Sequence, residues 1–403
     1  MREGKENIGT CQACGLSPVN HTATYLSASF DAWMNDSTMR FQQTSAYALL
    51  ERILDRPLTW TLSSFLSLLR TFQLSGISHD PERARTYRSQ VVWEEALHRG
   101  IPMEQLTLFA TPLELYRARI GRSWQYFQSI PVPPAKKRLE YKGLDDKFLF
   151  KKRIREAGLP APEAVCVRNL AEARLAFEKL QKPVVVKPRM GSRARHTTTR
   201  VSSLEDLDMA YERARVLCRQ VIVEEFLEGG VCRATIVEGR LVGFLQMLPA
   251  RVMGDGVYSV RELVDIKNAS RPERVAEVEL DPEHAEFLAR LGYTFDSILP
   301  KELTIDLSRR TGRFEGGETR ELPNEVHPKL RAYVERAAAA LASSVIGLDL
   351  IIPDPTADPD TQRWGLLEGN SVPFIDLHYW PLHGQPSNVA SAVWDLWGSA
   401  LSA

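Results

Sequence analysis

Near the C-terminal end, acids stand where apolar side chains are expected. Within 364–384, Glu368 and Asn370 lie two residues apart in an apolar, strand-like run. Side chains alternate faces along a strand, so the two project to the same side. A carboxylate and an amide carbonyl aimed at one point are hard-oxygen donors of the kind that hold Mg²⁺. Asp349 sits inside VIGLDLII, where an ionised carboxylate is costly unless it is paired or bound to a cation. Adjacent antiparallel strands run about 4.8 Å apart, so Asp349, Glu368 and Asn370 on neighbouring strands would reach one shared ion. A polar, solvated strand end is the plain alternative for each.

A second group is basic. Lys187 lies in VVVKPRM and needs an anion if that strand is buried. After it comes RMGSRARHTTTR, with arginines at 189, 193, 195 and 200 and with His196. Arginine forks suit phosphate oxygens, while a solvated basic loop explains the same residues without function. GxxxxGK[ST], GxSxG and HExxH are all absent from the sequence, which excludes a P-loop by pattern. GDG at 254–256 is by itself only a turn signal. Cys11 and Cys14 form a lone CxxC with only His21 near. Zinc wants four ligands, so these read as ordinary free cysteines.

The remaining composition sets limits. At 403 residues the chain suits two or three domains. Its 51 basic and 51 acidic residues cancel, so net charge gives no support for binding nucleic acid or an anionic membrane. Five cysteines are not a disulfide framework. There is no secretory h-region and no apolar run of about 18 residues. The expectation is a soluble cytoplasmic protein with no nucleic-acid or membrane partner.

The elements that must position these residues follow from periodicity. Residues 1–45 carry little pattern. The stretch 44–72 reads as helices broken at Pro57, and 82–101 as an amphipathic helix ending at Gly100, followed by a strand at 104–110. Three prolines and a charge cluster in 130–146 mark the boundary between a 1–140 domain and a 143–403 domain. Beyond it come a helix stopped by Gly158, the strand carrying Lys187, a helix over 204–220 and the strand VIVEEFLEGG. A hairpin turns at Glu238-Gly239. A long helix ends at Gly347, and the last two strands flank a polar loop over 356–362.

VVVKP, VIVEEFLEGG, RATIVEGRLVG, PARVMGDGVYSVRELVDIKN, GLDLII and LEGNSVPFIDLHYWP occur in this order. Over about 143–385 the chain thereby resembles ATP-grasp carboxylate–amine ligases, in particular the ligase regions of cyanophycin synthetase and bifunctional glutathione synthetase. The resemblance implies an α+β fold: two α+β subdomains, about 143–217 as lid and 218–403 with the metal site, clamp ATP behind a helical and small α/β N-terminal domain. It implies ATP and Mg²⁺, with two ions expected and Mn²⁺ as a substitute, acting on a small-molecule carboxylate and amine of amino-acid or peptide type. An acyl-phosphate would form and an amine would displace its phosphate. A kinase-like phosphotransferase or a non-catalytic nucleotide-binding regulator are the alternatives. A homo-oligomer fits the relatives.

Carried over by position, Lys147 and Lys187 look like the phosphate-contacting lysines. Glu224, Glu225, Phe226 and Leu227 look like the adenine hinge. Arg233 looks like the arginine that steadies phosphate or substrate carboxylate, and Asp349, Glu368 and Asn370 look like the magnesium ligands. Gly191 and Arg195 match the flexible phosphate loop. The pattern departs where Ala194 and His196 replace glycines and where Val231 replaces a ribose-binding acid, with Glu228 as the substitute. Met247 replaces an arginine, and Arg251 follows a few residues later. Gly316 and Gly317 read either as a substrate-carboxylate cradle or as a turn. His378, Tyr379 and Trp380 read as pocket lining or as a buried structural cluster.

Overall fold

The structure, a computed structural model, describes residues 11, 14, 19–42, 44, 75–191 and 195–401. The helical stretch expected beyond Thr44, up to 72, lies outside them, as do Arg193 and Ala194. Helix α1 (His21–Gln42) is the first element, in a region that sequence pattern leaves irregular. Its apolar face is only a pair of alanines, Ala28 and Ala32, packed with Cys218. Polar ties do the rest, from Ser29, Asn35 and Asp36, and such contacts leave no periodic signature.

Strands β1 (Ser75–Ser78), β2 (Met103–Leu108), β3 (Thr111–Ile120) and β4 (Ser123–Phe127) make one antiparallel sheet in chain order. Helix α2 (Tyr87–His98) covers it. It starts later than its pattern suggests because the Thr86 side chain accepts from Ser89 N and fixes the N-terminus there. After the short α3 (Pro134–Lys137) comes α4 (Lys147–Glu156), capped by Asp146.

A second sheet holds β5 (Ala164–Val167), β6 (Val184–Pro188), β7 (Thr198–Val201) and β8 (Val221–Glu225), in the order β5-β8-β6-β7. Helices α5 (Leu170–Lys179) and α6 (Leu204–Arg215) close its apolar face around Phe177, Leu207 and Val223. The third sheet is the largest. It contains β9 (Gly230–Val237), β10 (Arg240–Met253), β11 (Thr304–Thr311), β12 (Glu318–Glu321), β13 (Val345–Ile352) and β14 (Gly365–Asn370). The order is β11-β10-β9-β13-β14, with β12 on β10. The β9–β10 turn has Glu238 at φ 48° and Gly239 at φ 72°, the left-handed pair that a two-residue hairpin turn needs. Helices α7 (Val260–Ser270) and α8 (Pro282–Arg290) serve the β10–β11 end, and α10 (Val389–Asp395) lies by α2.

Helix α9 (Pro328–Ala340) ends well before Gly347. Ala342 turns left-handed at φ 48°, and Gly347 is already inside β13, opposite Asn370. Alternation along β9 and β13 then sorts the side chains. Cys232, Ala234, Ile236, Leu348 and Leu350 pack on α4 and α9. Arg233 and Asp349 therefore project from the other face, the face on which Val237 and Val345 meet α2 and α10. Among the described residues no helix is long and apolar enough to cross a membrane.

Candidate active site

Lys147 and Lys151 sit one helical turn apart on α4 and share a face. Lys187 comes from β6 and Glu224 from β8. All four are buried. The Glu224 carboxylate receives Lys187 Nζ at 2.5 Å and Lys151 Nζ at 3.0 Å. Lys151 also donates to the Leu367 carbonyl at 2.6 Å, and Lys147 Nζ stands 3.7 Å from Glu368. Burial and the neighbouring Lys187 charge push Lys151 down to about 8 against the pull of Glu224. Burial alone would raise Glu224, but the two lysines hold it below the usual carboxylate range. The anion Lys187 needs is thus Glu224, whose side chain lies among the lysines. Lys151 had no place in the sequence reading; its position four residues after Lys147 was the available signal.

Arg233, Asp349 and Glu368 are neighbours across three strands: Asp349 is in register with Arg233 on β9 and with Glu368 on β14. The guanidinium grips Asp349 with two parallel bonds, Nε to Oδ1 and Nη2 to Oδ2, both 2.7 Å. Asn370 Nδ2 lies 3.4 Å from Asp349 Oδ2. Burial raises Asp349, Arg233 opposes the rise, and the Glu368 charge adds to it. For Glu368 burial works upward too, but Lys147, Lys187, Lys151 and Arg233 outweigh it and hold the group at about 2. Two carboxylates and an amide, pushed apart in proton affinity and ringed by cations, form a hard-oxygen set that fits a divalent cation bearing phosphate.

The basic stretch after β6 does not act as one unit. Arg189 is buried, with its guanidinium on Asp146 at 2.7–2.9 Å and on Asp36 at 2.8 Å. It thereby ties α1 to the N-cap of the helix that carries Lys147 and Lys151. Arg200 lies 4.5 Å over the Phe226 ring and 3.2 Å from Glu228. Glu225 pairs with Arg363 at 3.2 Å, and its N–H and that of Phe226 donate to the Glu163 and Pro183 carbonyls. Leu227 is buried. Arg195 is close enough to Cys14 and His196 for its charge to act on both. Gly191 takes φ 68° at the exposed edge of the loop.

Other residues serve structure. The Gly317 N–H donates to the Gly312 carbonyl at 3.0 Å, and a Cβ at 317 would stand 2.4 Å from the Leu248 carbonyl; the pair Gly316-Gly317 is a packed turn. His378 is fully buried, with Nδ1 2.7 Å from Glu321 and Nε2 2.7 Å from the Thr235 hydroxyl. Tyr379 is tied to Asn388 and to Ala390 N, and Trp380 stacks edge-on with Tyr87. Arg251 pairs with Asp306 at 3.0 Å, and Met247 lies in β10 opposite Thr319 of β12. Asp255 of the GDG turn accepts from Val257 N and Tyr258 N and leads into the Ser259–Glu262 capping box of α7.

No known family model matches the chain. The cyanophycin synthetase of Nostoc sp. (strain PCC 7120 / SAG 25.82 / UTEX 2576) is 30% identical over 259 residues, covering 62% of this chain and 29% of that protein. The glutathione biosynthesis bifunctional protein of Mannheimia succiniciproducens is 26% identical over 310 residues, covering 74% and 40%. The crystal structure of a bifunctional glutathione synthetase from Pasteurella multocida superposes with a TM-score of 0.56 at 24% identity, over 77% of this chain and 44% of that one. The chain spans well under half the length of the curated relatives it matches. The chain is thus similar to cyanophycin synthetases and bifunctional glutathione synthetases, and its fold is that of the Pasteurella multocida glutathione synthetase.

Proposed function

We propose that this protein is an ATP- and Mg²⁺-dependent carboxylate–amine ligase. It joins a small-molecule acid to an amine of amino-acid or peptide type and releases ADP and phosphate. The observation that carries this reading is the convergence of Lys147, Lys151, Lys187 and Arg233 on Asp349, Glu368 and Asn370. Residues from about 143 to 217 would serve as lid over a 218–403 subdomain, with a 1–140 domain ahead of them whose α2 shares a core with β9, β13 and α10, while α4 itself packs on the large sheet. Asp349, Glu368 and Asn370 would hold Mg²⁺, which supplies charge neutralisation at the phosphates.

The chain's own residues carry the remaining work. In the first half-reaction the substrate carboxylate attacks the γ-phosphate, and the acyl-phosphate and ADP result. Lys147 and Lys187, already placed in buried surroundings, exchange their carboxylate partners for phosphate oxygens. A cation in a water-poor site stabilises developing charge far better than in bulk water. Arg233, held flat against Asp349, presents its remaining N–H groups to the transferred phosphate or to the substrate carboxylate. In the second half-reaction the amine attacks the acyl carbon and phosphate leaves. Holding the reactants in line contributes several kcal/mol, with ~7–11 as the upper range. Phe226 and Leu227 would provide apolar surface for the adenine, and Glu228, paired with Arg200, would accept from a ribose hydroxyl.

The test is phosphate release from ATP and Mg²⁺ across a matrix of amino acids and dipeptides, with mass spectrometry of every active well. A product lighter than its two parts by one water establishes ligation. Trapping with hydroxylamine yields a hydroxamate if an acyl-phosphate forms. A stable phosphorylated product and no hydroxamate overturns the reading in favour of a kinase.

A further inference from the structure

The fold brings to Cys11 and Cys14 the ligands that their sequence neighbourhood lacks. His21, the first residue of α1, contributes one. His196, which stands just before β7 and far away in sequence, contributes the other. Cys14 Sγ is 3.1 Å from His21 Nε2 and 3.5 Å from His196 Nε2, and Cys11 Sγ is 3.7 Å from His196 Nε2. The four ligand atoms all lie within 4.8 Å of one another. Bonds of about 2.3 Å to sulfur and 2.0–2.1 Å to nitrogen give tetrahedral edges of roughly 3.3–3.8 Å. The observed separations bracket those edges.

Three further observations point to a metal. The His196 Nδ1 stands 2.7 Å from the Arg213 carbonyl. A carbonyl only accepts, so Nδ1 carries the proton, and in the neutral ring Nε2 turns its lone pair toward both sulfurs. That carbonyl-anchored imidazole is the support a metal-bound histidine uses. His196 also holds φ 53°, a left-handed conformation uncommon outside glycine, and this turns its ring back toward Cys14 and His21. Finally, Cys14 N–H donates to the Cys11 carbonyl at 3.0 Å. This tight turn folds the two thiols to one side. Cys14 and His196 are buried, and the ring of His21 meets that of His196 edge-on at 5.0 Å.

We infer that Cys11, Cys14, His21 and His196 form a structural Zn²⁺ site that pins the segment ahead of α1 to the end of the phosphate loop. Two thiolates and two imidazoles in tetrahedral array select zinc among common divalent ions. Four protein ligands leave no open position, so the ion supports structure rather than chemistry. The site replaces the flexibility that glycine would give at 196 with a metal crosslink, setting where Arg195 begins. This inference stands apart from the ligase reading, since no residue of the lysine–carboxylate cluster takes part.

The test uses the full chain, reduced, stripped with a chelator and reloaded with zinc or cobalt. Elemental analysis should find about one zinc ion per chain after dialysis. The cobalt form should show intense visible bands of a tetrahedral ion and a near-ultraviolet thiolate charge-transfer band. Cys14→Ser, His21→Gln and His196→Gln should each lower affinity by more than the roughly 10–100-fold that loss of a supporting hydrogen bond brings. If Cys14→Ser does not fold, the cobalt spectrum of the unaltered chain decides by itself. A reduced chain that takes up neither metal, a cobalt spectrum without thiolate charge transfer, or a His196→Gln protein binding as tightly as the original overturns the proposal.

Discussion

The Lys151–Glu224–Lys187 triad makes an asymmetric prediction. Two buried ammonium groups share one buried carboxylate, so the triad carries one net positive charge. Removing Glu224 doubles that charge; removing Lys151 cancels it. Breaking a buried pair by deleting one partner costs about 3–5 kcal/mol, and Glu224→Gln should lose that much in urea denaturation near pH 7. Lys151 is different because it is already held down to about 8, against roughly 10.4 for a free lysine. Keeping it charged in the folded state costs about 3 kcal/mol, at ~1.4 kcal/mol per pH unit. Lys151→Met removes that cost but orphans the Leu367 carbonyl, worth about 1–3 kcal/mol, so its stability should be unchanged or rise by up to about 2 kcal/mol. The sign with pH is definite. A lysine with a lowered folded-state value costs most below about pH 8, and the cost fades as pH rises toward ~10.4. The original protein should therefore gain on Lys151→Met as pH is raised through that window. Equal destabilisation by the two substitutions, or no change in their difference with pH, would refute the charge-balance argument.

Three further substitutions test the site and its surroundings. Glu368→Gln should cut Mg²⁺-dependent turnover about 10²–10³-fold in a coupled ADP assay. Its folded-state value near 2 also means that its stabilising contribution is complete above about pH 4.3 and disappears as pH falls toward 2. Denaturation near pH 7 should show a loss of only about 1–2 kcal/mol, because its side chain is a third exposed. Arg233→Lys keeps the charge but loses the paired grip on Asp349, and turnover should fall at least about 10-fold with KM for Mg²⁺ raised; unchanged kinetics would remove Arg233 from the site. Arg200→Ala gives up the Phe226 stack and the Glu228 pair, each worth about 0.5–1 kcal/mol, so KM for ATP should rise about 2–10-fold with kcat intact in steady-state measurements.

What could be read from the sequence depended on how local each signal was. Glu368 and Asn370 announce a shared face because strand alternation is fixed by two residues of chain, and Asp349 declares itself because its neighbours are all apolar. Register then only had to set Asp349 beside Glu368, and the β13–β14 pairing does so. Lys151 escaped because a helical lysine four residues from another reads equally well as a solvated stripe; only Leu367 and Glu224, more than seventy residues away, make it an interior group. Arg189 was hidden for the converse reason. Its place in an arginine-rich stretch argues for phosphate, whereas Asp146 and Asp36, from two separate helices, consume its guanidinium. The most remote case is His196. A rule that looks for zinc ligands near CxxC stops at His21, since spacing cannot register a ligand delivered by β-sheet topology. Yet a histidine where the resemblance implies glycine was visible in the sequence, and it carries a conformational cost that glycine avoids. His196 takes glycine-like backbone angles at φ 53°, and its ring is held at the Arg213 carbonyl and beside the two sulfurs.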